Sequence, residues 1–352
     1  MKVIVDAMGG DYAPVVVVEG VIKALEEVKT DIVLVGIKEQ VENELKKYTY
    51  PKERISLVHA PEVVGMHEPA TTSIRRKRNS SITIGIDLLK DPAYDAFVSA
   101  GNTGAVVCAA TVNLGMLPGV ERPAIGLVIP TLKGFGFLID VGANTDPKPE
   151  HLLHSSLMAK IYTQKFLGLS NPSIGLLNIG EEEGKGSDFA KETHKLLSER
   201  VPNFIGNIEA NEVFTGRSDC IISDGFVGNV VIKVAEGLME SAGALLVREI
   251  KKSPLALLGA LLMKSRLKHI KRHADYSEYG GAPLLGVNGI VMISHGRSNA
   301  KAIKNAIRAA AREVEHKIIS SIIEEVAAKN EKRRFYRLRP LSSQSAPHQF
   351  RP

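Results

Sequence analysis

Polar side chains and glycines gather in five short stretches of this chain: Asp6-Ala-Met-Gly9-Gly10-Asp11, Ser99-Ala-Gly101-Asn102-Thr103-Gly104, Asp140-Val-Gly-Ala-Asn144, Asn178 to Gly186, and Ser223-Asp224-Gly225-Phe-Val-Gly228-Asn229. Glycine lets a backbone come close to a ligand, and a helix that follows offers unpaired N–H groups and a positive dipole end. The chemistry such loops permit is the holding of an anion such as phosphate. Asn229 adds a directed amide donor to the last of them. Lys185 stands between two glycines after three glutamates. A lone lysine there is usually a solvated charge, but just past a strand end it can hold phosphate as a mobile point charge.

None of these loops reads G-x-G-x-x-G or G-x-x-x-x-G-K-[ST], so a dinucleotide fold and a P-loop nucleotidase lack their fingerprints. Singly, each loop is an ordinary strand-to-helix turn; five in one chain favour a site. Arg75, Arg76, Lys77 and Arg78 form either a solvated helix face or a rim that collects anions. Cys108 and Cys220 lie in apolar runs and read as buried packing residues, and the histidines form no ligand pair. Nothing in the residues calls for a metal or a cofactor.

The elements that position these loops follow from apolar runs. Strands are expected at 2–6, 31–36, 54–60, 96–100, 124–130, 136–142, 173–180, 203–209 and 220–225, most of them followed by helical patterns. Alternation of this kind predicts an α/β fold, an open, mostly parallel doubly wound sheet with ligands gathering outside the carboxyl ends of the strands. A long amphipathic helix is expected over 299–329, started by Ser298. The segment 254–273 differs: nine uncharged residues, Leu255 to Met263, precede Lys264, Arg266, Lys268, Lys271 and Arg272. It is too short to span a bilayer, which takes about 20 apolar residues. An apolar tip formed by Leu255, Leu258, Leu261 and Leu262 above cations suits either a membrane surface or a helical hairpin in a dimer interface. The same cations could attract an acidic carrier protein.

The chain has 352 residues and a net charge of +6. From Lys329 onward seven Lys and Arg stand against one Glu, so the tail carries the whole excess and the rest gives no reason to expect nucleic-acid binding. Residues 330–352 read as a disordered basic tail behind a single domain over 1–329. Two cysteines and a terminus that meets Asp6 before any long apolar stretch point to a reducing, cytoplasmic setting.

The segments VDAMGGD (5–11), RRKRNSS (75–81), SAGNTGA (99–105), RPAIG (122–126), LIDVGAN (138–144), KPEHL (148–152), GLLNIGEEEGKG (175–186), SDGFVGN (223–229) and YSEYGGAPLLG (276–286) closely resemble the bacterial PlsX-type phosphate acyltransferases, from residue 1 to about 325. The resemblance implies a fold similar to the isocitrate/isopropylmalate dehydrogenase and phosphotransacetylase group, with the 254–273 segment protruding. It also implies an acyl transfer from acyl-acyl carrier protein to inorganic phosphate for phospholipid synthesis, with no cofactor or metal. It implies a homodimer, peripheral association with the inner face of the cell membrane, and delivery to a downstream glycerol-3-phosphate acyltransferase. Lys185 and Asn229 become the expected catalytic positions. Asp6, Gly9, Gly10, Asp11, Ser99, Gly101, Asn102, Thr103, Gly104, Asp140, Asn144, Asp224, Gly225 and Gly228 become the expected phosphate-binding positions. Leu255, Leu258, Leu261, Leu262, Lys264, Arg266 and Lys268 become the expected membrane or carrier contact. The rival readings are a coenzyme A-dependent phosphotransacetylase, a dehydrogenase of the isopropylmalate type, and a non-catalytic scaffold on a membrane.

Overall fold

The computed structural model describes residues 1–268 and 280–337, with side chains as far as 328. The Val- and Ile-rich runs become β1 (Lys2–Asp6), β2 (Asp31–Gly36), β3 (Ile55–His59), β4 (Ala96–Ser99), β5 (Ala124–Thr131), β6 (Gly134–Ile139), β7 (Ile174–Asn178), β8 (Phe204–Glu209), β9 (Cys220–Ile222), β10 (Ala282–Leu285) and β11 (Ile290–Ile293). These eleven form one sheet in the order β3-β2-β1-β4-β11-β10-β5-β6-β9-β7-β8. The helices are α1 (Val15–Glu27), α2 (Lys38–Leu45), α3 (Ala70–Arg76), α4 (Ser81–Leu88), α5 (Thr103–Asn113), α6 (Pro149–Tyr162), α7 (Asp188–Arg200), α8 (Gly225–Lys251), α9 (Pro254–Leu262), α10 (Ala300–Glu315) and α11 (Ile318–Arg337).

Successive strand residues point to opposite faces, and the core divides accordingly. Val3 and Val5 join one apolar layer with Val18 and Val21 of α1 and Ile303 and Ile307 of α10. Ile4 joins the other, with Ile82 and Ile86 of α4 and Ala105 and Ala109 of α5. The sheet is thus covered on both faces, which suits its near-continuous apolar strands.

Seven strand pairs are parallel, but β5 pairs antiparallel with β6 and β10 antiparallel with both β11 and β5. Only Leu132 and Lys133 separate β5 from β6. Two residues can close a hairpin but cannot carry the crossover that parallel pairing needs. In consequence β1, β4 and β11 run one way, and β6, β9 and β7 the other.

Three sequence expectations change. The helix expected over 299–329 is two helices, broken at His316 and Lys317, where Lys317 takes a φ of 53°. Its cap is Asn299, whose side chain accepts from the Ala302 N–H, while Ser298 is buried behind it. The tail expected to begin at 330 is helical to Arg337, because Glu331, Lys332, Arg333 and Arg334 are good helix formers and Pro340 comes later. Residues 338–352 lie outside the described part, as do Lys271 and Arg272. Cys220 is buried and its thiol pushed up to about 12 by burial, while Cys108 is only half-buried.

Candidate active site

At the ends of β1 and β4 the polar residues organise one another. Asp6 is buried; its carboxylate accepts the Met8 N–H at 3.0 Å and the Ser99 hydroxyl at 2.7 Å, and Ser99 Oγ accepts the Gly101 N–H at 3.0 Å. Burial pushes the Asp6 carboxyl up from its ordinary value, opposed by hydrogen bonds from Ser81, Ser99, Met8 and Gly9. Gly9 sits so close to this cluster that a Cβ there would fall 2.6 Å from both Asp6 Oδ2 and the Gly101 nitrogen.

Asn102 caps α5, its Oδ1 accepting the Ala105 N–H at 3.0 Å. Its Nδ2 donates to the carbonyls of Gly65 (3.2 Å), Met66 (3.1 Å) and Glu68 (2.9 Å), tying the 65–68 loop down. Glu68 in turn accepts from Lys77 at 2.6 Å, which holds its carboxyl down at about 2. Lys77 is therefore a loop tether, and Arg75, Arg76 and Arg78 are exposed. Both ends of Asn102 are committed, and Thr103 and Gly104 remain open at the start of the helix.

At the ends of β6 and β9 the same economy appears. Asp140 Oδ1 accepts from the N–H groups of Ile125 (3.1 Å), Gly142 (3.0 Å) and Ala143 (2.9 Å), and Oδ2 from the N–H (2.7 Å) and Nδ2 (3.1 Å) of Asn144. Burial pushes this carboxyl up, and the backbone donors pull it down. Asn144 also donates to the Pro123 carbonyl. Asp224 caps α8, accepting from Phe226 (3.0 Å) and Val227 (2.9 Å). A Cβ on Gly228 would fall 1.9 Å from the Asp140 carbonyl oxygen, and one on Gly225 2.5 Å from that of Asn144, so the two glycines let α8 start against the 140–144 loop. Asp140, Asn144 and Asp224 thus build the loops and have little capacity left for a ligand. Asn229 differs: its amide is exposed, lies against Gly142, and has no hydrogen bond among the described residues.

The loop after β7 is pinned by Asn178, which donates to the Lys185 carbonyl at 3.1 Å, and by Asn207, which donates to the Glu182 carbonyl at 2.9 Å. Arg217 bridges Glu181 and Glu212 beside it. The Lys185 side chain itself is about half exposed, with Glu182 at 4.0 Å its one ion-pair partner among the described residues. Among the described residues no hydrogen bond or ion pair joins Lys185 to Asn229; they stand at the ends of neighbouring strands β7 and β9.

Because strand direction reverses across the sheet, the five loops fall into two groups, after β1 and β4 and after β6, β7 and β9. They are joined by a segment the sequence reading missed, Ser294-His295-Gly296-Arg297-Ser298 after β11. Asp11 donates its N–H to the Gly296 carbonyl at 2.8 Å, and His295 Nε2 lies 3.2 Å from Lys233 Nζ on α8. The short β11 hid it, but a Ser-His-Gly turn ending in Asn299 ahead of a helical pattern was the available signal. Among the described residues no three His, Cys, Asp or Glu side chains cluster as a metal site, and no helix is long and apolar enough to cross a membrane.

Exposed apolar surface lies elsewhere. α9 presents Leu255, Leu257, Leu258, Leu261 and Leu262, with Leu255 and Leu262 78% and 79% exposed, and the outer part of α8 adds Leu238, Met239, Leu245, Leu246 and Val247. Lys264, Arg266 and Lys268 follow on the same outlying segment.

The family described as "Fatty acid synthesis protein" matches residues 1–321. The "Phosphate acyltransferase" of Dictyoglomus turgidum is 48% identical over 326 residues, covering 92% of this chain and 97% of the relative. That of Alkaliphilus oremlandii is 45% identical over 328 residues, covering 93% and 98%. Among solved structures, the EutD phosphotransacetylase from Staphylococcus aureus aligns with a TM-score of 0.58 at 16% identity over 89% of this chain and 94% of that one. A branched-chain phosphotransacylase from Enterococcus faecalis aligns with a TM-score of 0.56 at 15% identity over 90% and 100%. The structural likenesses establish the fold group alone, whereas the sequence matches reach across nearly the whole chain: it belongs to the fatty acid synthesis protein family, that of the phosphate acyltransferases.

Proposed function

We propose that the chain transfers a fatty acyl group from acyl-acyl carrier protein to inorganic phosphate, releasing acyl phosphate for phospholipid synthesis. The observation that carries this reading is the uncommitted Asn229 amide at the start of α8, against the Asp140–Asn144 loop. Phosphate is already an anionic nucleophile, so the protein need not supply one; it must hold phosphate near a thioester carbonyl and stabilise the oxyanion that forms there. A phosphate oxygen attacks the carbonyl carbon, the C–S bond breaks, and the carrier thiolate leaves and takes up a proton. Asn229 is the donor to phosphate or to the developing oxyanion, and Lys185 brings a mobile positive charge. Thr103 and the open N–H groups at the start of α5 offer further donors.

The chain works in the cytoplasm as a homodimer at the inner face of the cell membrane. Support comes from the exposed leucines of α9 and outer α8 above Lys264, Arg266 and Lys268, a pairing of apolar surface and cations suited to anionic lipid or an acidic carrier. The product is passed to a glycerol-3-phosphate acyltransferase. Following thiol release while phosphate is varied, with carrier-protein and coenzyme A thioesters as alternative donors, tests the reading. Release that does not depend on phosphate, or that prefers coenzyme A, would sink it.

A further inference from the structure

Between Glu68 and Asp87 the chain carries no acidic residue, yet Arg75, Arg76, Lys77 and Arg78 fall there in one run. Only Lys77 is neutralised nearby, donating to Glu68 at 2.6 Å. Arg75, Arg76 and Arg78 are exposed and make no ion pair or hydrogen bond among the described residues. Other surface cations have an acid three or four residues away, as Lys23 has Glu19, Lys47 has Glu44 and Lys90 has Asp87. Cations in the last turn of α3 suit the negative end of its dipole, but that role reaches only Arg75 and Arg76, since Arg78 lies past the helix end.

The place of these three charges is at the edge of the candidate site. Asn102, the cap of α5, holds the 65–68 loop that leads into α3 by three of its carbonyls, and Met66 of that loop lies against Gly296. α3 itself packs on α5, where a Cβ on Gly104 would fall 3.0 Å from Ala70 Cβ. The open start of α5 and the arginines are thus carried by two helices in contact.

The chemistry of the patch selects its partner. Within 61–80 no Val, Leu, Ile, Met, Phe or Tyr side chain is exposed, whereas a surface that enters lipid combines cations with apolar side chains, as α9 does. Unpaired guanidinium groups on a polar rim instead steer and orient an acidic protein surface. A carrier protein presents its acyl thioester at the end of a flexible prosthetic arm, so its body rests at the rim while the thioester reaches inward.

We propose that Arg75, Arg76 and Arg78 form the surface on which the acidic carrier protein docks to deliver its acyl group. The identity of this partner rests on the acyl-transfer reading above.

The test uses the full chain with Arg75→Glu and Arg78→Glu combined. KM for acyl-acyl carrier protein rises by about ten-fold or more, while KM for phosphate stays unchanged. Arg75→Gln with Arg78→Gln gives a smaller rise in the same direction. Added salt raises the carrier KM of the unsubstituted protein more than that of the Glu variant. A carrier KM within about two-fold of the unsubstituted protein in both folded variants would overturn the assignment. Loss of flotation with anionic liposomes at an unchanged carrier KM would give the patch to lipid and overturn it too. If the unsubstituted protein shows no phosphate-dependent thiol release, the acyl-transfer reading fails by itself, and calorimetric titration with acyl-acyl carrier protein still decides the docking surface. Binding weakened in the Glu variant supports it; equal binding, or none by the unsubstituted protein, overturns it.

Discussion

Glu313 accepts the hydroxyl proton of Tyr162 at 3.1 Å with both side chains buried, the tyrosine ring stacked between Phe137 and Phe166. Burial pushes the Glu313 carboxyl up to about 8 from its ordinary 4.5. The folded chain therefore keeps a proton that the unfolded chain gives up above its ordinary value. Stability is fully present below about pH 4.5 and is lost as pH rises through about 8. Glu313→Gln keeps an acceptor for Tyr162 without the charge. Relative to the unsubstituted protein it gains stability at pH 8.5, on the order of a few kcal/mol, and little at pH 5. Urea denaturation at the two pH values measures this; an equal difference at both would refute it.

Lys185→Ala and Asn229→Ala remove groups that nothing structural occupies. Each is expected to keep the circular dichroism and melting temperature of the unsubstituted protein while lowering kcat by about a hundred-fold, the usual loss for an oxyanion donor. Full activity in either folded variant removes that residue from the mechanism.

Asp140→Asn is expected to act on stability. The new amide puts N–H donors against backbone N–H donors that the carboxylate now accepts, a cost of about 2–4 kcal/mol. The urea midpoint should fall. An unchanged midpoint with a raised KM for phosphate would instead make Asp140 a ligand.

Replacing Leu258 and Leu262 together by Glu puts charge on the exposed apolar surface of α9. Flotation with anionic liposomes should lose the protein, while thiol release in free solution continues. Retained flotation of the folded variant counts against the membrane reading.

Much of the fold was legible because buried strands need long runs of Val, Ile and Leu, and segments such as DIVLVG admit little else. What stayed hidden were features set by partners distant in sequence. The four-residue β10 and β11 become strands only because the sheet is there to receive them. The hairpin of β5 and β6 was not read, because strands expected at 124–130 and 136–142 leave five residues between them and the alternating pattern around them suggests parallel pairing. The loops do lie at the strand ends that their spacing suggests, yet the roles inside them are not separable by residue type. Asn102 and Asn229 look alike in a Gly-rich stretch, and only the three carbonyls that meet Asn102 show that its amide is already used.

α8 is one unbroken helix of 27 residues. Its base is anchored by Val231 and Ile232 on the small core at β6 and β9, and its outer turns carry the exposed leucines. From Lys233 to Lys251 it extends about 27 Å. Asn229 and Lys233 are thus mounted on the short arm of a lever whose long arm carries the exposed leucines. Any tilt of the far end would carry the Asn229 amide and the Lys233 ammonium with it, relative to His295 and Gly142.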